Sequence, residues 1–269
     1  MTIEPDQRAE LWSNHVSVYE TVFEPFSLHF GQLAIKALQL SRGGAVLDVG
    51  AGSGGVALAL ARDGHRVTAI DASPGMVDRI AVRAEQAGLA VQARVMDGQA
   101  LDFADASFAA AVSVFGVILF PDAVRGLAEM RRVVRSGGRI SLVTWTEPQD
   151  YELSSALRAA AQAVRPSGQP GALPAQLRFR ERTACEALFH AAGLGEVEIG
   201  VHTALLQAPS ARWLAERLQF APGMQAFLQG LGGDSPAVIS RFVADVETRQ
   251  GMGEVRFSGK AFVARATVP

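Results

Sequence analysis

A glycine-rich run at positions 46–55, reading VLDVGAGSGG, constrains the fold of this chain more than any other stretch. Its apolar, β-branched start ends at Asp48, and glycines then occupy four of the next seven positions. Glycine tolerates positive φ and lets the backbone approach a ligand closely, and the VALALARD that follows favours a buried helix. A strand, a glycine loop and a helix in this order predict a nucleotide-binding turn.

A second apolar run, HRVTAID, ends in the acidic residue Asp71, which lies 21 residues after Gly50. In nucleotide-binding folds the carboxylate that holds the ribose ends the second strand at about this distance, roughly 20 residues. The alternative is that Asp71 caps the next helix, but Ser73 and Pro74 already provide that start signal. We therefore predict that Asp71 binds ribose.

Short apolar runs alternate with helical segments downstream of position 45. Strands are predicted at 45–49, 66–70, 90–96, 109–115 and 139–145, and helices between them at 54–63, 74–87 and 122–134. This alternation is typical of a parallel sheet that is covered on both faces. With further strands at 196–206 and near the end of the chain, the expected fold is α/β, a Rossmann-like, doubly wound, mostly parallel seven-stranded sheet.

Helical segments flank this core and predict how the chain is divided. Helices are expected at 6–22 and about 25–40, then at 150–164 and 181–192, with two or three more between 209 and 249. We expect one domain over 1–269. Its predicted parts are an N-terminal helical lid at 1–40, a core at 45–206 and 252–266, and a helical insertion at 207–251.

Composition argues against several classes of protein. The net charge of −2 provides no basic stripe for nucleic acid, and the longest apolar run is too short to span a bilayer. Cys185 is the single cysteine, so it forms no internal disulfide, and we expect it in the core. No spacing of metal ligands stands out, so no metal is expected. The acidic start of the chain lacks an apolar signal region, and we expect a cytoplasmic monomer or homodimer.

Several of these motifs together resemble the class I S-adenosylmethionine-dependent methyltransferases, in particular the ubiquinone/menaquinone-type branch that acts on small molecules. The resemblance covers about 16–145. It rests on FEPFS (23–27), VLDVGAGSGG (46–55), VTAIDAS (67–73), VMDGQAL (95–101), FGVILFPD (115–122) and RVVRSGGRISLVTW (132–145). It implies S-adenosylmethionine as cofactor and a small-molecule acceptor. One position departs from the family, which usually has an acid where this chain has Ala109 at a strand entrance.

The resemblance also assigns roles to single residues. It implies that Asp48 orients the amino group of the methionine portion, that Gly50 and Gly52 approach that portion, and that Asp71 accepts both ribose hydroxyls. Asp97 and the Gly98 amide would meet the adenine. The remaining implied cofactor contacts are Ala51, Ala72, Met76, Met96 and Val114.

A nicotinamide-dependent oxidoreductase is the main alternative, because it uses the same glycine turn and the same acid on the second strand. Three features favour a sulfonium cofactor. A buried carboxylate at Asp48 needs a cation and would repel a pyrophosphate. Asp97 adds an acceptor near the adenine, and no Tyr-x-x-x-Lys set is present, since Lys36 and Lys260 are the two lysines. A protein that binds the cofactor without methylating remains a second alternative.

Acceptor and catalytic residues are expected at strand ends and on the N-terminal helix. His15 and Tyr19 are candidate catalytic groups, and His15 is a candidate general base near neutral pH. We expect Trp12, Phe115, Ile118 and Trp145 to wall the acceptor pocket. Their apolar character predicts a hydrophobic acceptor, while the sequence leaves open whether oxygen, carbon or nitrogen is methylated.

Overall fold

Seven strands form one sheet in the computed structural model of the chain, which describes residues 3–166 and 173–269. The strands are β1 Ala45–Val49, β2 Arg66–Asp71, β3 Val91–Val95, β4 Phe108–Val114, β5 Val134–Trp145, β6 Glu198–Ala208 and β7 Val255–Thr267. Their order is β3-β2-β1-β4-β5-β7-β6, and β7 runs antiparallel to both of its neighbours. The predicted α/β fold with a mostly parallel sheet is confirmed.

Helices pack against both faces of this sheet. They are α1 Ala9–Trp12, α2 Val16–Val22, α3 Glu24–Leu38, α4 Gly55–Arg62, α5 Pro74–Gln86, α6 Ala123–Val133, α7 Glu152–Val164, α8 Arg182–Ala191, α9 Ala211–Ala215, α10 Pro222–Gly230 and α11 Ser235–Gln250. One hydrophobic cluster lies under α3, α4, α7 and α11, and a second lies under α6 and α8. The free thiol of Cys185 is buried in the second cluster, as predicted.

The β1–α4 unit shows why this sequence folds as it does locally. On β1, the side chains of Val46, Leu47 and Val49 are fully buried beneath the helices that cover the sheet. Gly54 then caps α4 with a φ of 95°, and a Cβ added there would lie 3.0 Å from Ile80. Glycine is needed at this position because an L side chain would be strained and would strike α5. The strand therefore enters the helix through a turn that only glycine fits.

Two predicted elements differ from the structure. The helix expected over 6–22 is broken into a 3₁₀ turn, Pro5–Gln7, and the short helices α1 and α2. The break allows the Ser13 hydroxyl to pair with that of Ser73 at 2.9 Å and to accept a hydrogen bond from the Gly75 amide at 3.1 Å. Tertiary contacts thus override a continuous helical pattern.

The strand expected at 139–145 begins five residues earlier, at Val134. Val134 pairs with Phe108, whereas Arg139 pairs with Ala110, so the register shifts between these two pairs. Gly137 lies in this irregular stretch with a φ of 73°. A bulge absorbs the additional residues between these two pairs. Ala109 lies at the start of β4, the strand entrance expected for it.

A buried ion pair joins α3 to α5. Arg83 donates to both carboxylate oxygens of Glu24, at 2.7 and 2.8 Å, and its Nη1 also donates to the Ser53 carbonyl at 2.8 Å. The Ser53 hydroxyl donates to the same carboxylate. Because Ser53 belongs to the glycine loop, this network fixes the loop between two helices.

Removing the carboxylate of this pair is expected to destabilise the protein. Glu24→Ala leaves the partly buried Arg83 with the longer contact to Glu20, at 3.7 Å, in place of its two short bonds to Glu24. Breaking a buried pair typically costs about 3–5 kcal/mol. Since a fifth of the Arg83 side chain remains exposed, we expect a loss of about 2–4 kcal/mol in urea unfolding. Glu254→Ala, which removes an exposed pair with Arg256, is the matched control and is expected to change little. Equal losses in the two variants would contradict the role given to the network.

Candidate functional site

The glycine loop between β1 and α4 lies directly against the end of β4. Gly50 and Gly52 adopt φ values of 66° and 55°. A Cβ added to Gly50 would lie 2.9 Å from the Cα of Gly116, which is backbone and cannot yield easily. The loop therefore requires glycine both for its conformation and for its close approach to the neighbouring strand.

Asp71 connects this loop to the end of β2. Its Oδ2 accepts a hydrogen bond from the Gly52 amide and its Oδ1 accepts one from the Ser73 amide, each at 2.9 Å. The helix cap of α5 is Ser73, whose hydroxyl accepts from the Met76 amide at 3.5 Å. Each carboxylate oxygen retains capacity for a further donor. Asp71 therefore shapes the loop and still presents acceptors, although burial raises its pKa.

Asp48 lies below the loop and is 1% exposed. Its Oδ2 has no hydrogen-bond partner among the described residues. Burial, together with the nearby Asp71 carboxyl, raises the pKa of Asp48 to about 8. It borders a small pocket of about 20 Å³ that Ala51 and Tyr19 also line. A buried carboxylate is costly unless it meets a cation or donors, so this pocket suits a small cationic group.

A much larger cavity, of about 1360 Å³, opens at the carboxyl ends of the strands. It brings together most of the site residues predicted from the sequence. These are Trp12, Tyr19, Gly50, Gly52, Asp71, Ala72, Met76, Asp97, Val114, Phe115 and Trp145. The edge where the strands end is where ligands bind in open α/β sheets.

Six predicted site residues do not line this cavity, and two of them, Asp48 and Ala51, border the small pocket instead. His15 is 5% exposed, and its Nδ1 donates to the Gln219 carbonyl at 2.8 Å. Ile118 is 1% exposed and packs inward, while Met96 packs against the second hydrophobic cluster. Gly98 is covered by Phe120, whose ring would lie 2.4 Å from an added Cβ. His15 thus joins the N-terminal segment to the insertion, and it does not face the cavity as a base would.

Tyr19 lies over the glycine loop. A Cβ added to Gly52 would be 3.3 Å from the Tyr19 ring, and Trp12 meets this ring edge-on at 5.8 Å. Burial raises the pKa of the Tyr19 phenol. The phenol is therefore neutral at physiological pH and suits hydrogen-bond donation better than proton abstraction.

A continuous aromatic wall forms one side of the cavity. Phe115 stacks on Trp145 at 4.3 Å, and Trp145 stacks on Tyr151 at 4.9 Å. Phe23 contacts Phe115 at 6.0 Å and stacks on Phe220 at 5.5 Å. Phe115 adopts a φ of 58°, which is uncommon for a bulky residue and marks strain at the site.

Three members of this wall were missed by the sequence analysis. Phe23 stands out only as part of the FEPFS motif, and Tyr151 follows β5 in a turn without periodicity. Phe220 lies in the helical insertion, about 200 residues from Phe23. No local pattern brings such distant residues together, so only the tertiary structure identifies them.

The N-terminal segment is tied across the cavity by two carboxylates. Asp6 Oδ1 accepts from the Gly223 amide at 2.6 Å, at the start of α10. Glu4 Oε2 accepts from the Ala175 amide at 2.8 Å. Both acids line the cavity, and burial raises the pKa of Asp6. These two hydrogen bonds join the N-terminal segment to Ala175 and Gly223, so that distant parts of the chain form one wall of the cavity.

The described part of the chain, 3–166 and 173–269, contains no group of three or more His, Cys, Asp or Glu side chains arranged to hold a metal ion. None of its helices combines the length and apolarity needed to cross a membrane.

Residues 46–138 match the model of a family described as a methyltransferase domain. An uncharacterized protein of Mycobacterium tuberculosis is 34% identical over 163 residues, 61% of this chain and 58% of that protein. A ubiquinone/menaquinone biosynthesis C-methyltransferase of Geobacter sp. is 33% identical over 122 residues, 44% of this chain and 52% of that enzyme. The chain thus spans little more than half the length of these relatives.

Solved structures share the fold at lower sequence identity. A Haemonchus contortus phosphoethanolamine N-methyltransferase, in complex with phosphomonomethylethanolamine and S-adenosylhomocysteine, has a TM-score of 0.60 at 17% identity. That match covers 98% of this chain and 59% of the other. A 4+2 cyclase has a TM-score of 0.54 at 23% identity, with 89% and 80% covered. Residues 46–138 thus resemble a methyltransferase domain, on a fold that these solved structures share.

The raised pKa of Asp48 predicts how stability depends on pH. An unfolded aspartate titrates near pH 3.9, whereas the folded Asp48 has a pKa of about 8. Between these values the unfolded state releases a proton that the native state keeps, so stability falls as pH rises. Asparagine is neutral at every pH, so we expect the stability of Asp48→Asn to fall less as the pH rises.

Urea unfolding of the ligand-free protein at pH 5.5 and pH 8 measures the effect. Between these two pH values the variant is expected to lose less stability than the original chain, because the ionisation of Asp48 no longer contributes to the loss. Identical losses would show that Asp48 is ionised in the folded protein.

Proposed function

From this domain and its cavity, we propose that the protein transfers a methyl group from S-adenosylmethionine to an oxygen, carbon or nitrogen atom of a small hydrophobic molecule. One observation carries the proposal. The buried Asp48 carboxyl, whose Oδ2 has no partner among the described residues, borders a small pocket beside Gly50, and Gly50 and Gly52 line the cavity of about 1360 Å³. A pocket for one small ligand is typically about 300–1000 Å³, so this cavity has room for a cofactor and a second molecule.

The residues present fit this cofactor. The orphaned Asp48 oxygen suits its ammonium group, and the free acceptor capacity of Asp71 suits the ribose hydroxyls. Asp97 lines the same cavity beside Gln99, whose amides donate to its Oδ1 at 2.8 and 3.0 Å. Gly50, Gly52, Ala51, Ala72, Met76 and Val114 complete the proposed cofactor side. When bound, the sulfonium supplies an activated methyl group for in-line displacement.

The contribution of the chain itself is positioning and exclusion of water. Tyr19 and Trp12 lie over the glycine loop and shield it from solvent. None of the histidines in the described part of the chain lines the cavity. We therefore assign Tyr19 a positioning role, in which its neutral phenol donates a hydrogen bond. We assign His15 a structural role, because it links the N-terminal segment to Gln219 of the helical insertion. Orientation of two reactants alone is worth several orders of magnitude in rate.

The proposed acceptor is hydrophobic and flat. The wall formed by Phe23, Phe115, Trp145, Tyr151 and Phe220 offers ring faces against which an aromatic or quinone-like molecule packs. The relative that acts in ubiquinone/menaquinone biosynthesis supports this choice. We place the reaction in the cytoplasm, in a monomer or homodimer, where a free cysteine such as Cys185 is usual.

A cofactor-binding protein that does not methylate is the second candidate, because a 4+2 cyclase has the same fold. Formation of S-adenosylhomocysteine distinguishes the two functions. Incubation of the protein with S-adenosylmethionine and a panel of phenols, quinols and aromatic amines is expected to release it. Tight cofactor binding with no release from any acceptor would favour the second candidate.

Cofactor class is tested by binding. S-adenosylhomocysteine is expected to raise the melting temperature, whereas NAD and NADP are not, since a ligand stabilises only the state that binds it. Asp71→Ala removes acceptors for two hydroxyls, and charged hydrogen bonds are worth about 1.5–3 kcal/mol each. We expect at least about tenfold weaker binding by calorimetry. Asp63→Ala, an exposed acid at the end of α4, is the control.

The proposed lid is tested by deletion of residues 2–12. The described part of this segment contributes Glu4, Asp6 and Trp12 to the cavity wall and no strand to the sheet, so the shortened chain is expected to fold. Its affinity for S-adenosylhomocysteine should stay within about tenfold, while turnover falls at least about a hundredfold because water enters. Parallel losses of binding and turnover would place the segment in the cofactor site. Unchanged turnover would show that it is not a lid.

A further inference from the structure

Two cationic side chains line the cavity within the described residues, Arg158 and Arg165. Arg165 forms an ion pair with Asp234 at 3.3 Å. Arg158 has no carboxylate within ion-pair distance in the part of the chain that the structure describes. The cavity thus contains one cation, Arg158, that the described residues leave without an anion.

The hydrogen bonds of Arg158 occupy only part of its guanidinium. Its Nη2 donates to the Pro148 carbonyl at 3.2 Å and to the Ser155 hydroxyl at 3.5 Å. Its Nε and Nη1 make no hydrogen bond to the described residues. Partial burial without a compensating carboxylate lowers the pKa of this guanidinium. The N–H groups of a guanidinium lie in one plane and can donate two hydrogen bonds to the same carboxylate or phosphate, so the unused donors suit such an anion.

Carboxylates in the neighbouring turn are engaged elsewhere. Glu147 pairs with Arg180 at 3.2 Å, and Asp150 pairs with Lys260 at 2.8 Å. Glu152 accepts a hydrogen bond from the Ser258 amide at 2.6 Å. The acids closest in sequence to Arg158 therefore do not neutralise it, although all three lie at the start of α7 or just before it.

Arg158 belongs to a polar stripe on α7. Ser154, Arg158 and Gln162 recur at every fourth position, so they share one face of the helix, and all three line the cavity. Leu157 and Ala161, on the adjacent stripe, line it as well. One helix therefore presents hydrogen-bond donors beside an apolar surface, which is the arrangement that an amphiphilic ligand requires.

We propose that Arg158, flanked by Ser154 and Gln162, binds an anionic group of the methyl acceptor, which is thus an apolar molecule that carries a carboxylate or a phosphate. This inference rests on the proposed function, because it divides the cavity between a cofactor and an acceptor. It extends that function by giving the acceptor a charge and by fixing which end of it lies at α7. The apolar body then extends along the aromatic wall.

Matched probes test the charge preference on the full chain saturated with S-adenosylhomocysteine. 2-Naphthoate and 2-naphthyl phosphate are each compared with methyl 2-naphthoate by calorimetry and by tryptophan fluorescence. Dodecanoate and dodecyl phosphate are compared with dodecanol in the same way. At least one anion is expected to bind at least about tenfold more tightly than its neutral partner, the effect of one charge-assisted hydrogen bond. The two anions of each set distinguish carboxylate from phosphate recognition.

Arg158→Gln is expected to abolish this preference while leaving the affinity for the neutral probes unchanged. Arg165→Gln, which removes the paired arginine of the same cavity, is the control and is expected to keep it. Affinity for S-adenosylhomocysteine is measured for each variant and should not change. Failure of the original chain to bind S-adenosylhomocysteine would refute the proposed function itself.

With cofactor binding intact, three results would overturn the inference alone. The first is equal affinity of the original chain for charged and neutral probes. The second is a preference that persists in Arg158→Gln. The third is the absence of saturable binding by all four anions at millimolar concentration.

Discussion

The buried pair between Glu24 and Arg83 is the interaction on which the site depends most. It joins α3, which crosses the sheet, to α5, which follows β2, and it includes Ser53 of the glycine loop. A buried ion pair adds little net stability compared with an apolar contact, but it tolerates no loss of one partner. The pair also fixes the geometry of the cavity. Phe23 immediately precedes Glu24 and Tyr19 lies five residues before it, so holding Glu24 in place also holds both rings against the cavity.

The cavity has two halves of different origin. Its cofactor half is built from the ends of β1, β2 and β4 and from the loop that only glycine fits. Its other half is assembled from the N-terminal segment, α7 and the helical insertion, which meet through hydrogen bonds such as Asp6 to Gly223. The rigid strands thus form the part of the cavity that is common to the methyltransferase fold. The peripheral helices can differ and so determine which acceptor binds.

Charge is distributed unevenly between these halves. The proposed cofactor half contains Asp71 and Asp97 and lies beside Asp48. Burial raises the pKa of Asp48 and of Asp71, and the nearby Asp71 carboxyl raises that of Asp48 further. Such a group of acids favours a cationic ligand and disfavours a pyrophosphate. In the acceptor half, Glu4 and Asp6 are engaged by backbone amides, and one arginine, Arg158, has no carboxylate partner in the described residues. The two proposed ligands therefore match opposite charges at opposite ends of one cavity.

The sequence by itself determined the cofactor half. The β1 strand, the glycine loop and Asp71 are encoded by neighbouring residues, whose conformational preferences and spacing act locally, so the nucleotide-binding turn and the parallel sheet were predictable. Only the tertiary structure decided the acceptor half. His15 follows a helical pattern but is drawn to the carbonyl of Gln219, 204 residues away, and Phe23 meets Phe220 across a similar separation. Contacts of this range depend on how distant elements pack, and no local periodicity in one sequence records that packing.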